Sequence, residues 1–116
     1  MVGVDIVSIK RIEDVMEKKR QRFLDRVLDS DEQKLANSAQ NVAGFWAAKE
    51  AVAKALGCGI GEELSFLDIK LHKKKSGQPY FSLPKSIMQR YSIKDTSISI
   101  AHDGGFAIAV AAIERG

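Results

Sequence analysis

Glu50 and Lys54 stand four residues apart in the run Phe45–Gly57, and that spacing puts two side chains on one helix face, one turn apart. The run is rich in alanine and carries a leucine, so it is strongly helix-forming, and Gly57-Cys58-Gly59 supplies a stop. Ala43, Ala47 and Ala51 lie beside the pair and leave it the room that a ligand or another backbone needs. As an ordinary solvated ion pair it is worth a few tenths of a kcal/mol. A second carboxylate sharpens the reading. Asp5 interrupts the apolar stretch Val2–Val7, where a charge is costly unless something satisfies it. A strand-end cap or a salt bridge is one answer, and a cation shared with Glu50 is the other. Two hard oxygen ligands with open positions suit Mg²⁺, which keeps waters and takes its remaining ligands from substrate phosphates. Lys49 and Lys54 would then flank the same anion. A divalent ion with an ammonium group is what phosphoryl chemistry needs against charge developing on phosphate oxygens.

The other reactive side chains are less specific. His102 sits before a Gly-Gly turn and reads either as a phosphate ligand when charged or as a hairpin cap. His72 has no partner at metal-ligand spacing and reads as structural or solvated. Gly57-Cys58-Gly59-Ile60-Gly61 follows a helix, whereas phosphate cradles precede one, so it is mainly a helix stop whose glycines also let a ligand lie close.

The elements that must position these residues follow from periodicity. Val2–Val7 reads as a strand. Apolar residues from Ile9 to Leu28 fall at mostly helical spacing, with a break expected around residues 19–22. Ser30-Asp31-Glu32-Gln33 has capping-box form and opens a short helix. The helix bearing Glu50 spans roughly 42–56. Phe66–Lys73 and Tyr80–Leu83 form a hairpin across the turn Ser76-Gly77-Gln78-Pro79, and Pro84 starts a short helix, 84–91. Ser97–His102 alternates strictly, with Ile98, Ile100 and His102 on one face. Asp103-Gly104-Gly105 turns the chain, and Phe106–Ile113 returns as a strand apolar on both faces. The alanines at 107, 109, 111 and 112 suggest a close neighbour such as another subunit. The expected fold is α+β, one long helix packed on a mostly antiparallel sheet.

At 116 residues the chain is one domain, 1–116, with one modest core. No stretch approaches the ~18 apolar residues of a membrane span. Met1-Val2-Gly3-Val4-Asp5 lacks the basic start and apolar run of a signal peptide. Cys58 is the only cysteine, which excludes an internal disulfide or a cysteine metal site and fits a reducing cytoplasm. The net charge is +3. Residues 10–26 hold seven basic and four acidic side chains, so this segment carries the whole excess, densest at Lys18-Lys19-Arg20-Gln21-Arg22. Such a patch suits either a solvated helix face or an acidic partner, protein or nucleic acid.

Three blocks together resemble the holo-(acyl-carrier-protein) synthases, the small bacterial 4′-phosphopantetheinyl transferases. Gly3–Ile12 is similar to the family's N-terminal metal-binding block. Trp46-Ala47-Ala48-Lys49-Glu50-Ala51-Val52-Ala53-Lys54-Ala55 is similar to its W/F-x-x-K-E-A-x-x-K-A signature. Ser97–His102 with the alanine-rich strand after it is similar to its C-terminal block. Leu64–Ile69 and Gly77-Gln78-Pro79-Tyr80 also match, in the same order.

The resemblance implies transfer of phosphopantetheine from coenzyme A to a serine of apo acyl carrier protein, in fatty acid biosynthesis, releasing adenosine 3′,5′-bisphosphate. It implies that Asp5 and Glu50 hold Mg²⁺ against the coenzyme A pyrophosphate and that Lys54 neutralises the transferring phosphate, with Lys49 and Gly57 nearby. His102, Gly77 and Pro79 would contact the 3′-phosphate and adenine. Arg11, Lys18, Lys19, Arg22 and Arg26 would dock the acidic carrier protein. It also implies a homotrimer with sites between protomers, and no nucleic-acid or membrane partner. The acceptor of the serine proton stays open among a metal-bound water, Asp5 and a neighbouring protomer's carboxylate. Two residues depart from the family pattern: Phe45 stands where arginine is common, and Ala101 where serine or threonine is usual. A small basic nucleic-acid-binding module and a non-catalytic coenzyme A sensor are the alternatives.

Overall fold

The computed structural model describes residues 1–116. In chain order it holds strand β1 (Val2–Ser8), helices α1 (Ile9–Val27), α2 (Ser30–Leu35) and α3 (Ala39–Leu56), a single 3₁₀ turn (Phe66–Asp68), strands β2 (Lys70–Lys73) and β3 (Pro79–Ser82), helix α4 (Lys85–Arg90), and strands β4 (Ile93–Asp103) and β5 (Phe106–Arg115). The α+β expectation is met. Strands β1, β5 and β4 form an antiparallel sheet in that order, and β2–β3 form a separate antiparallel hairpin.

Each rung of the main sheet presents one residue per strand to α3. Gly3, Ala111 and Ile98 make one rung; Asp5, Ala109 and Ile100 the next; Val7, Ala107 and His102 the third. Small side chains on the middle strand let α3 lie almost on its backbone. Ala107, Ala109 and Ala111 are fully buried beneath α3. The close neighbour expected there is, for these three, this chain's own helix rather than another subunit, and of the alanines in that expectation Ala112 alone faces the other side of the sheet. The opposite face of the sheet is apolar and open, with Val2, Val4, Ile6, Phe106 and Val110 exposed.

On its far side α3 is covered by α1 and the 3₁₀ turn, through Trp46, which stacks on Phe23 and lies tilted against Phe66. Covered nearly all round, α3 carries no single apolar stripe. Ser38 caps its start, its side chain accepting from Asn41 N, and Gly57 ends it in the left-handed conformation at φ 78°. The break expected in α1 falls at Lys19 (φ −145°, ψ 50°). The capping box of α2 is one residue earlier than expected. Asp29 is the cap and Glu32 its third-position partner, because only the Asp29 carboxylate reaches Glu32 N while Glu32 Oε1 reaches back to Asp29 N.

Candidate active site

Asp5 enters the sheet-helix interface because residues 3, 5 and 7 of β1 share the inward face. Its Oδ1 accepts a hydrogen bond from Lys54 Nζ at 2.8 Å. The Asp5 side chain is 13% exposed and that of Lys54 52%, so the ammonium sits at the mouth of the cluster. Asp5 holds that ammonium above its ordinary range, first through the hydrogen bond and then through its charge. Glu50, one turn earlier on α3, is half-buried. Burial pushes its carboxyl up, and the Asp5 charge pushes it further, against the pull of Lys54 and Arg11. Two carboxylates thus repel one another at a partly desolvated spot, with two cations near. A divalent cation relieves that repulsion. No third His, Cys, Asp or Glu joins the pair. A ligand set of two oxygens fits Mg²⁺, which is usually held by one or two carboxylates with waters and phosphates completing the shell.

Lys49 does not join this group, and its expected place beside the bound anion is corrected. It is 0% exposed. Its Nζ donates to Val27 O at 2.7 Å, Glu32 Oε1 at 2.8 Å and Phe66 O at 3.0 Å. An ammonium has three donors, so none is left for a ligand. One residue along a helix is a turn of about 100°, which aims Lys49 inward when Glu50 faces the sheet edge. Burial lowers its pKa, against the pull of Glu32.

The remaining site residues gather elsewhere. Gly77, Pro79 and His102 line one cavity of about 170 Å³ with Asn41, Gly44, Phe45, Lys73 and Ile100. His102 Nε2 lies 3.0 Å from Gln40 O; a carbonyl only accepts, so Nε2 carries the hydrogen and Nδ1 is left as the free ring nitrogen. Gly44 makes room for the ring, since a β-carbon there would stand 3.0 Å from His102 Nε2. Phe45 forms an apolar wall, and Lys73 is the lining's only lysine or arginine, without an ion-pair partner. Ala101 faces the other side of the sheet from His102 and is exposed. Gly57 caps α3 beyond Lys54, exposed and outside this cavity. A larger open depression of about 350 Å³, lined by Met1, Val2, Ser97 and Glu114 among others, holds none of the candidate residues.

Sequence reasoning missed Lys73 and Asn41. The signal for Lys73 was present: in the hairpin register it pairs with Pro79, so choosing Pro79 brings Lys73 with it. It also missed Glu32, whose burial depends on Lys49 from seventeen residues away.

The acid pair and the cavity lie on opposite flanks of α3. Asp5 is on one edge strand and His102 on the other, with β5 between them. Two strand spacings amount to roughly 10 Å. Around α3, Glu50 and Phe45 point about 140° apart. Arg11, Lys18, Lys19, Arg22 and Arg26 are all exposed on α1, and Arg11 acts on the Glu50 charge.

The family model for the 4′-phosphopantetheinyl transferase superfamily matches residues 1–111. A holo-[acyl-carrier-protein] synthase of Campylobacter fetus subsp. fetus is 49% identical over 115 residues, 99% of this chain and 100% of that one. One from Nitratiruptor sp. is 52% identical over 115 residues, 99% of each chain. The crystal structure of Helicobacter pylori holo-[acyl-carrier-protein] synthase in complex with coenzyme A aligns with a TM-score of 0.96 at 47% identity, over 98% of this chain and 100% of that one.

Proposed function

We propose, for a chain that belongs to the 4′-phosphopantetheinyl transferase superfamily, that it transfers the phosphopantetheine arm of coenzyme A to a serine of an apo acyl carrier protein. The observation that carries this reading is the Asp5–Lys54 contact at 2.8 Å beside a half-buried Glu50. The carboxylates of Asp5 and Glu50 would hold Mg²⁺. When bound, that ion neutralises the pyrophosphate and polarises the phosphorus under attack. In the transfer the serine hydroxyl gives up its proton to a base in the site, and its oxygen bonds to the pantetheine-side phosphorus. The bond from that phosphorus to the bridging oxygen breaks, and adenosine 3′,5′-bisphosphate leaves. Lys54, half exposed and anchored by Asp5, aims a fixed positive charge at the phosphate oxygens, where charge builds up in such a step.

The cavity on the other flank suits the nucleotide end. Lys73 offers an ammonium, His102 a ring nitrogen, and Phe45 with Pro79 an apolar seat for a base. Within one copy, a coenzyme A bound at both flanks would have to pass around α3, most of whose residues are buried. A site made of the acid pair of one copy and the cavity of the next removes that obstacle. The open apolar face of the sheet, with Val2, Val4 and Ile6 each more than half exposed, is the kind of surface that self-association covers. We read the assembly as a closed homotrimer. The basic face of α1 adjoins the acid pair through Arg11, which supports docking of an acidic carrier protein at the reacting end.

The test is the mass gained by an apo carrier protein incubated with coenzyme A and Mg²⁺. The parent chain should label it, and Glu50→Ala should remain folded and fail to label. Full labelling by Glu50→Ala removes Glu50 from the chemistry, and no labelling by the folded parent removes the function.

A further inference from the structure

Glu32 is 2% exposed and lines neither the acid pair nor the His102 cavity, yet its carboxylate is fully engaged. Oε1 accepts from Lys49 Nζ at 2.8 Å and from Asp29 N at 2.9 Å, and Oε2 accepts from Leu71 N at 2.9 Å. The first contact ties it to α3, the second to the start of its own helix, the third to β2. Lys49 extends the network to Val27 at the end of α1 and to Phe66 in the 3₁₀ turn. No buried side-chain polar atom in the protein lacks a partner.

We infer that Glu32 is a positioning residue for both halves of the site proposed above. Through Lys49 it sets the depth and rotation of α3, which carries Glu50 and Lys54. Through Leu71 it sets the hairpin that carries Lys73, Gly77 and Pro79. The hairpin needs such a tie because it shares no ladder with the main sheet. Apolar contacts of Leu71 and Phe81 hold it down, but such contacts are non-directional and do not fix its register over α3. Hydrogen bonds to a fixed carboxylate do. Stability alone is a weak reason for the pair, since well-packed apolar residues of similar volume often replace a buried ion pair without loss. Placement is the stronger one: a shift of about 1 Å at a reacting centre can cost on the order of a hundredfold in rate.

The experiment compares the parent with Glu32→Gln and with the double variant Glu32→Met/Lys49→Met, which removes both charges at similar volume. Thermal unfolding establishes the fold. Amide hydrogen exchange of residues 70–82 and calorimetric coenzyme A affinity read the hairpin without any transfer reaction, and steady-state kinetics with carrier protein read α3. The expected result is a folded double variant with faster exchange in 70–82, about tenfold weaker coenzyme A binding and about tenfold lower kcat, and Glu32→Gln in between. A folded double variant with exchange, affinity and kcat all within twofold of the parent overturns the inference. If the double variant does not fold, the same comparison on Glu32→Gln decides it. A parent that never transfers phosphopantetheine sinks the function proposed above, and hairpin exchange still decides the role of Glu32.

Discussion

Gly3 and Ala51 meet backbone to backbone: a β-carbon on residue 3 would fall on the carbonyl oxygen of Ala51. This contact sets how deep β1 sinks against α3. Two residues along the same face, it brings Asp5 to Lys54. Glycine is required for space here, since its backbone is not in the left-handed region. Gly3→Ala must push strand from helix. Overpacking in a core usually costs about 1–3 kcal/mol, and a collision with backbone belongs at the upper end. Chemical denaturation should show that loss, with transfer activity falling more than the folded fraction does. A variant with parental stability and activity would mean that strand and helix separate freely.

The two lysines of α3 give a sharp contrast. Lys49→Met leaves the Glu32 carboxylate buried without its cation, and breaking a buried pair on one side costs about 3–5 kcal/mol. Lys54→Met removes a half-exposed partner, and such pairs are worth about 0–1 kcal/mol. Activity should follow the opposite order for folded protein. Lys54→Met should lose on the order of a hundredfold in kcat, the usual scale for one electrostatic donor at a reacting centre. Urea unfolding and steady-state kinetics on the two variants check both halves. Lys54→Met with unchanged kcat would take that lysine out of the reaction.

The Glu50 carboxyl sits above its ordinary value of 4.5, first through burial and then through Asp5, with Lys54 and Arg11 opposing. The folded chain therefore holds a proton there more tightly than the unfolded chain. The associated stability is fully present below the unfolded value and is lost as pH rises through the folded one. At neutral pH without divalent cation, Glu50→Gln should melt at a higher temperature than the parent. The gap should close on acidification below about pH 4, where Glu50 is protonated in both states. Saturating Mg²⁺ should raise the melting temperature of the parent and not that of the variant, since only a folded-state ligand adds stability. Calorimetric melts across pH, with and without Mg²⁺, test this. A cation-free parent that outlasts Glu50→Gln at neutral pH contradicts it.

Local pattern carried most of the fold. Alternation in Ser97–His102 marked β4, though the strand runs on to Ile93, where Lys94 and Asp95 break the alternation with a bulge. Alanine content marked α3, but its start is three residues earlier than the pattern suggested, because Ala39-Gln40-Asn41 has no periodic signal and depends on the Ser38 cap. Asp5, Glu50 and Lys54 were legible because one four-residue spacing and one misplaced carboxylate pointed at the same spot. Lys49 was not: its neighbour in sequence is Glu50, while its partner in space is Glu32. The separation of His102 from Asp5 was also invisible, since it depends on β5 inserting between β1 and β4.

That separation yields the most exacting prediction. If each working site takes Asp5, Glu50 and Lys54 from one copy and Lys73 and His102 from the next, defects in the two halves should complement. Asp5→Asn spoils only the acid side. The double variant Lys73→Ala/His102→Ala spoils only the cavity, and Phe45 and Pro79 still shape its walls. Each preparation alone should be nearly inactive. Mixed one to one and allowed to exchange subunits, about a quarter of the clefts pair two intact halves in a closed ring with head-to-tail interfaces. Activity should therefore recover to about one quarter of the parent's. Exchange itself is checked by mass spectrometry of differently tagged copies. Confirmed mixing with no recovery would place both halves of the reaction within one chain, and the proposed cleft between copies would fall with it.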